Sequence, residues 1–218
     1  MERRPIASRN TSWAHAVARL LTRSGLSPNQ ISVLSVGFAG LATFACYRYA
    51  GTIDHAGTSQ PLWLLLMAVA IQLRLLCNLF DGMVAVEGGK GTPTGPLFNE
   101  LPDRLADLLI IVPLGYLIPT VPYGVELGWA AGAAAVLTAY IRALGGSVGA
   151  PQIFAGVLGK SQRMAVITVA GVLAVLPPLQ PYISHLLAAT LVIVLLGSLL
   201  TCWQRLRLIA RHLHHAAH

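Results

Sequence analysis

The sequence predicts an all-α integral membrane protein, with six transmembrane helices preceded by an amphipathic interfacial helix. Three observations carry that prediction. Of 218 residues, 55% are hydrophobic and only 11% are charged, with a mean hydropathy of +0.66; an ordinary soluble domain is about one quarter charged. Runs of ~20 apolar residues recur, each long enough to cross a hydrocarbon core of ~30 Å. The remaining Lys and Arg residues gather on alternate connections between those runs, as they do when one side of a membrane holds them.

The first element is a helix over residues 10–25. Asn10, Thr11 or Ser12 can cap it. Trp13, Val17, Leu20, Leu21 and Ser24 share one face, while His15, Arg19 and Arg23 recur on another, and Gly25 supplies a left-handed stop. A short basic amphipathic helix ahead of the first span suits an anionic inner-leaflet surface. The alternative is an ordinary helix packed on the protein.

Six spans follow, at approximately 30–50, 62–86, 98–119, 127–148, 164–180 and 183–204. Pro177, Pro178 and Pro181 punctuate the turn after the short fifth span. The amino-terminal segment holds five arginines, the connections 87–97 and 149–163 hold Lys90, Lys160 and Arg163, and the tail holds Arg205, Arg207 and Arg211. The connections 51–61, 120–126 and 178–182 carry no Lys or Arg. This sorting places both termini and the connection 87–97 in the cytoplasm of a multi-pass protein of the cytoplasmic (inner) membrane. The formal charge of +7 therefore reflects membrane sidedness and does not suggest nucleic acid. Cys46, Cys77 and Cys202 lie in or beside apolar segments without metal-knuckle spacing, so they read as small buried apolar residues. No cleavable signal peptide is expected. The closing His212, His214, His215 and His218 read as a solvated tail.

Residues 78–103 carry the chemistry. Asn78 and Asp81 are three apart at the end of the second span, and Asn99 and Asp103 are four apart at the start of the third. Each pair shares a helix face. If the two helices pack antiparallel, the four side chains converge in one cleft, and such oxygen ligands suit a hard cation, Mg²⁺ or Mn²⁺. Charged groups in a membrane segment are costly to desolvate and mark a site by default. The joining loop, Glu87-Gly-Gly-Lys90-Gly-Thr92-Pro-Thr94-Gly95, offers amides, hydroxyls and an ammonium to phosphate oxygens. A diphosphate-bearing substrate follows. Arg142, Lys160 and Arg163 lie on the same side as candidates for an acceptor phosphate. Arg142 could instead pair with Glu100 or Asp107, and Lys160 and Arg163 could be positive-inside anchors. Arg74, inside the second span, could snorkel or pair, and no role is assigned to it.

These residues resemble the signature of the CDP-alcohol phosphotransferases, Asp-x2-Asp-Gly-x2-Ala-Arg, about eight residues, then Gly-x3-Asp-x3-Asp. The chain keeps Asp81, Gly82, Ala85, Gly95 and Asp103 at that spacing. Leu26-Ser27-Pro28-Asn29-Gln30-Ile31-Ser32 and the pair Lys160 and Arg163 also look like family segments. The resemblance implies transfer of a phosphatidyl-type group from a CDP-linked lipid donor to a polar alcohol, free or phosphorylated, with release of CMP. It implies metal ligands at Asn78, Asp81, Asn99 and Asp103, with Asp103 as the base. Asn29, Ser32, Gly82 and Thr92 would line the nucleotide pocket, with Ala85, Lys90 and Gly95 on the donor side. It also implies a homodimer among membrane lipids. The domain reading is then 1–27 as a cytoplasmic segment with the interfacial helix, 28–208 as a six-helix transmembrane catalytic domain, and 209–218 as a cytoplasmic tail.

Three departures stand out. Asn78 and Asn99 replace aspartates, and Val86 replaces the arginine. Asparagine offers only a neutral carbonyl oxygen, so one cation, or two held weakly, is expected. The competing reading is a catalytically weak CDP-lipid-binding membrane protein. A transporter fits less well, because the charges cluster at one membrane face.

Overall fold

The computed structural model describes residues 11–53 and 60–216. The expectations for Arg3, Arg4 and Arg9, and for most of the connection after the first span, lie outside them. Among the described residues the protein is all-helical, and no strand occurs. The elements are α1 (Ser12–Arg23), α2 (Pro28–Ile53), α3 (Leu62–Glu87), α4 (Gly95–Gly115), α5 (Gly124–Ser147), α6 (Lys160–Leu173) and α7 (Ile183–Ala216). A 3₁₀ segment, Pro177–Tyr182, enters α7.

Local sequence explains the entry to α2. Gln30 N–H donates to Ser27 Oγ at 3.2 Å, and Ser27 N–H donates to Gln30 Oε1 at 2.9 Å. This reciprocal capping box satisfies two amide donors that a helix start leaves over. Pro28 at the first helical position has no N–H to satisfy. The turn sets α1 back against α2 and α3. Ala14 and Ala18 are buried there with Ile31, Leu79, Phe80, Met83 and Val84. The Trp13 ring meets Phe80 edge-on at 6.0 Å. Val17 and Leu21 join this inward face, whereas Leu20 is exposed. The apolar face expected as one stripe thus divides between protein and surroundings.

Four segments are long and apolar enough to cross a membrane: Pro28–Thr52, Leu62–Val86, Gly124–Ser147 and Pro177–Ala216. The other two predicted spans differ for physical reasons. α4 carries Glu100, Asp103, Arg104 and Asp107 within about two turns. α6 has 14 residues and stops ahead of Pro177 and Pro178, because the residue before a proline is biased away from helical backbone. The last helix runs past its predicted end at residue 204 to Ala216, anchored where Cys202 and Ile209 pack with Ile141 and Ala150.

The main core joins Ala39, Ala42 and Cys46 of α2 to Met67 and Ile71 of α3 and Ile110 and Leu114 of α4, with Met164, Ile167, Leu187 and Leu191 from α6 and α7. All three cysteines are buried and reduced, as expected. α4 and α5 approach closely at Gly115 and Gly128. A methyl group on Gly128 would lie 2.8 Å from Val112 O and 3.0 Å from Gly115 Cα, so only glycine fits. Large apolar residues remain exposed on the outer faces, among them Val33, Phe44, Leu137, Val169, Leu196 and Leu199. Lipid tails are as apolar as these side chains, which makes this a multi-pass membrane protein.

Candidate functional site

The site lies where the carboxyl-terminal end of α3 faces the first half of α4. On α3, Arg74, Asn78 and Asp81 follow at intervals of four and three, which stacks them on one face. On α4, Asp103 and Asp107 are four apart. The direct antiparallel packing of these two helices expected from spacing is not what brings the faces together: α3 and α4 each pack on α2, and long side chains of α3 reach across to α4. Asn78 Nδ2 donates to Asp103 Oδ1 at 3.1 Å. Asp81 Oδ2 accepts the Ser32 hydroxyl of α2 at 2.6 Å. The Lys160 ammonium, at the start of α6, also donates to Asp103 Oδ1.

Beneath this layer sits a fully buried charge network. Arg74 Nη2 donates to Asp107 Oδ1 at 2.8 Å, to the Asp103 main-chain oxygen at 3.2 Å and to Asp103 Oδ1 at 3.5 Å. Arg163 Nη2 reaches Asp107 Oδ2 at 2.9 Å, and its Nη1 donates to Thr138 Oγ1 and to Leu158 O. Arg74 and Asp107 are 0% exposed and Arg163 is 1% exposed. Three carboxylates, Asp81, Asp103 and Asp107, thus share a pocket with three cations, Arg74, Lys160 and Arg163. Buried charges persist only when paired. The anchor reading fails for Arg163, because a buried guanidinium bonded to a buried carboxylate does not reach headgroups. Arg205 likewise proves not to be a surface charge. It is buried, and its guanidinium donates to Ala155 O at 2.9 Å and to Thr138 O at 2.5 Å.

The outer rim is more open. Glu100 accepts from Arg142 at 2.5 Å and from Arg104. The Arg142 guanidinium lies 5.1 Å from the Phe154 ring centroid. The geometry thus favours the alternative reading of Arg142, as a partner of Glu100, over a free acceptor-binding group. Asn99 is exposed and stands apart from both the Asn78–Asp103 bond and the Ser32–Asp81 bond, so the four predicted ligands do not all converge. In the loop, Lys90 Nζ donates to Thr22 O of α1 at 3.0 Å, which ties the loop to the amino-terminal helix. The Thr92 and Thr94 hydroxyls lie 3.3 Å apart and both residues are exposed. Gly95 N–H closes the loop onto Thr92 O at 3.0 Å. Gly82 and Ala85 flank Asp81 on α3, partly buried, and Asn29 sits in the first turn of α2, also partly buried.

Sequence reasoning left two residues of this network without a settled role. Asp107 reads from the sequence as a partner for Arg142 or as a nearby acid that compensates for the asparagines, and Arg74 as a residue that snorkels or pairs. The signal was present in both cases: each lies one helical turn from a predicted site residue, on the same face.

The donor chemistry bears on a metal. Asp81 and Asp103 bring two carboxylates, and Asn78 and Asn99 bring two carboxamides. Asp103 Oδ1 already receives Arg74, Asn78 and Lys160. No three His, Cys, Asp or Glu side chains form a metal-holding group among the described residues. Asp81 and Asp103 bring carboxylate oxygens that suit a hard cation, and the three N–H donors at Asp103 Oδ1 weigh against a second one.

No family model matches the chain. Inner membrane protein YnbA of Escherichia coli K12 is 27% identical over 120 residues, which covers 55% of this chain and 58% of that protein. The chain thus matches less than two thirds of YnbA. A phosphatidylinositol phosphate synthase of Streptomyces avermitilis is 28% identical over 209 residues, covering 89% of this chain and 76% of that protein. Among solved structures, Mycobacterium tuberculosis phosphatidylinositol phosphate synthase with CDP-DAG bound superposes with a TM-score of 0.70. It has 22% identity and covers 91% of this chain and 94% of its own. The same protein in complex with manganese and citrate gives a TM-score of 0.69, with 21% identity, covering 90% and 88%. These structures share the fold described above.

Proposed function

We propose that the chain is a CDP-alcohol phosphotransferase that transfers a phosphatidyl-type group from CDP-diacylglycerol to a polar alcohol, releasing CMP, a reading supported by its likeness to a phosphatidylinositol phosphate synthase. One observation carries the proposal. Asp103 is bonded by Asn78 of α3 and by Lys160 of a third helix, while Asp81, at the family spacing from Asp103, is held by Ser32 of α2.

In this reading Asp103 accepts the proton of the acceptor hydroxyl. The hydroxyl oxygen attacks the phosphorus that carries the lipid, a new P–O bond forms, and the P–O bond to CMP breaks. Both phosphates are already charged, so positioning and charge neutralisation supply most of the acceleration. A divalent cation held by Asp81 and Asp103 would supply part of that neutralisation. Ser32 fixes Asp81 through its hydroxyl. Asn29, Gly82, Ala85, Lys90, Thr92 and Gly95 line the donor side. Lys160, Arg163 and Arg142 are assigned to the acceptor phosphate; each is already paired, Lys160 with Asp103, Arg163 with Asp107 and Arg142 with Glu100, and Lys160 is the one whose partner is the proposed base. Asn99 is assigned to the cation from its motif position.

The six-span catalytic unit of residues 28–208, an interfacial role for α1, the inner-membrane location with a cytoplasmic site, and a homodimer complete the proposal. A Gly91→Cys variant should react with a membrane-impermeant thiol reagent only once cells are opened. Labelling of intact spheroplasts would reverse the orientation.

A second reading, a CDP-lipid-binding protein of weak activity, draws on the two asparagines and the crowding at Asp103 Oδ1. Screening alcohols with labelled CDP-diacylglycerol separates the two. A new labelled lipid with one alcohol supports the enzyme; donor binding without product from any alcohol supports the binding protein.

A further inference from the structure

Arg74 has a geometry that neither simple pairing nor snorkelling explains. It lies a full turn deeper in the membrane than Asn78, on the same face. It is 0% exposed. Its Nη2 alone serves both Asp103 and Asp107, while Nε and Nη1 are buried without a hydrogen-bond partner. Orphaned buried donors cost free energy. A side chain with fewer donors, such as lysine, would leave fewer of them. What arginine adds is a rigid, permanently charged plane able to touch two carboxylates at once.

The donors around Asp103 are arranged in one sense. Arg74, Asn78 and Lys160 all converge on Oδ1, and Arg74 also holds the main-chain oxygen of the same residue. Among the described residues none of these donors reaches Oδ2. A carboxylate with one oxygen tied to three N–H groups has its rotation fixed and its other oxygen directed elsewhere. The positive charge at Oδ1 also repels a cation from that oxygen.

We infer that Arg74 is a positioning residue for Asp103: its guanidinium, shared with Asp107, locks Oδ1 and supplies there a built-in cation, which leaves Oδ2 to take the acceptor proton. The inference rests on the phosphotransferase reading above. It explains how a site with Asn78 in place of a carboxylate keeps Asp103 oriented.

The test uses the full-length purified protein and three variants. Mn²⁺ binding is measured by calorimetry with CDP present, alongside the kinetics of CMP release. Arg74→Gln should bind Mn²⁺ about tenfold more tightly, because Oδ1 loses its internal cation. Its kcat should fall at least tenfold with the donor KM within about threefold, and Arg74→Lys should recover part of the kcat. Lys160→Met acts on the same oxygen from a different helix and should also tighten Mn²⁺. It provides that readout if Arg74→Gln does not fold. Unchanged or weaker Mn²⁺ binding in the folded variants would overturn the inference and make Arg74 a purely structural partner of Asp107. If the unmodified protein releases no CMP with any alcohol, the phosphotransferase reading fails instead, while the Mn²⁺ affinities still decide whether Arg74 charges the Asp103 oxygen.

Discussion

The inner and outer halves of the cleft are built on opposite principles. In the inner half, Arg74, Asp103, Asp107, Lys160 and Arg163 are joined by ion pairs, and the central members are almost fully buried. In the outer half, the loop from Gly91 to Thr94 and Asn99 are exposed, and the loop is held by few side-chain bonds, such as that of Lys90 to Thr22 O. Low dielectric makes each inner interaction strong and each missing partner costly. Water makes the outer contacts cheap to rearrange. The contrast suits a transferase whose chemistry is preorganised while its rim accommodates a nucleotide.

Changes in the inner half should therefore be severe, and of two kinds. Asp103→Asn keeps the size and most of the hydrogen bonding but removes the base. CMP release should fall by ~10²–10⁴, with donor binding retained in a filter assay. Near-normal turnover would remove Asp103 from the chemistry. Asp107→Asn touches no proposed substrate group, yet it strips Arg74 and Arg163 of their shared counter-charge. Breaking one partner of a buried pair costs about 3–5 kcal/mol. Detergent-solubilised protein should lose thermal stability accordingly, and a melting curve unchanged by the substitution would contradict the network described here.

The boundary between the halves is sharpened by a pair of substitutions. Lys160→Met should raise the acceptor KM ~10–100-fold, the equivalent of one charge-assisted hydrogen bond, with a smaller effect on the donor KM. Equal effects on both substrates would favour a general electrostatic role. Thr92→Val, on the exposed rim, should raise the donor KM by less than about tenfold and leave thermal stability within about 0.5 kcal/mol. A large loss of stability there would show that the rim is as preorganised as the interior.

The sequence made the inner half partly visible. Spacing alone put Asn78, Asp81 and Asp103 on facing surfaces, because 3.6 residues per turn fixes which side chains meet. For Arg142 the sequence favours an acceptor role and holds Glu100 only as an alternative partner, which is the one the packing selects. Arg74 was ambiguous because a lone arginine within an apolar run can reach an interface or a buried acid, and only packing decides. Arg205, counted in the sequence only for sidedness, proves to be buried on main-chain oxygens, because near the end of a span an arginine that anchors and one that binds backbone are written identically. Asn99 shares a helix face with Asp103 but sits in the first turn of α4, beside the loop, where that face is open to solvent. The long helices were legible from hydropathy. The lengths of α4 and α6 were not, since charges and prolines interrupt both.

The central claim is that this charge network serves phosphatidyl transfer. The most direct measurement is CMP release from CDP-diacylglycerol by the unmodified protein and by Asp103→Asn, prepared identically, with Mn²⁺ and a mixture of polar and phosphorylated alcohols. The account predicts alcohol-dependent CMP release by the unmodified protein that is lost in Asp103→Asn. Donor binding by both proteins with CMP released by neither, or release that is insensitive to the loss of Asp103, would contradict it.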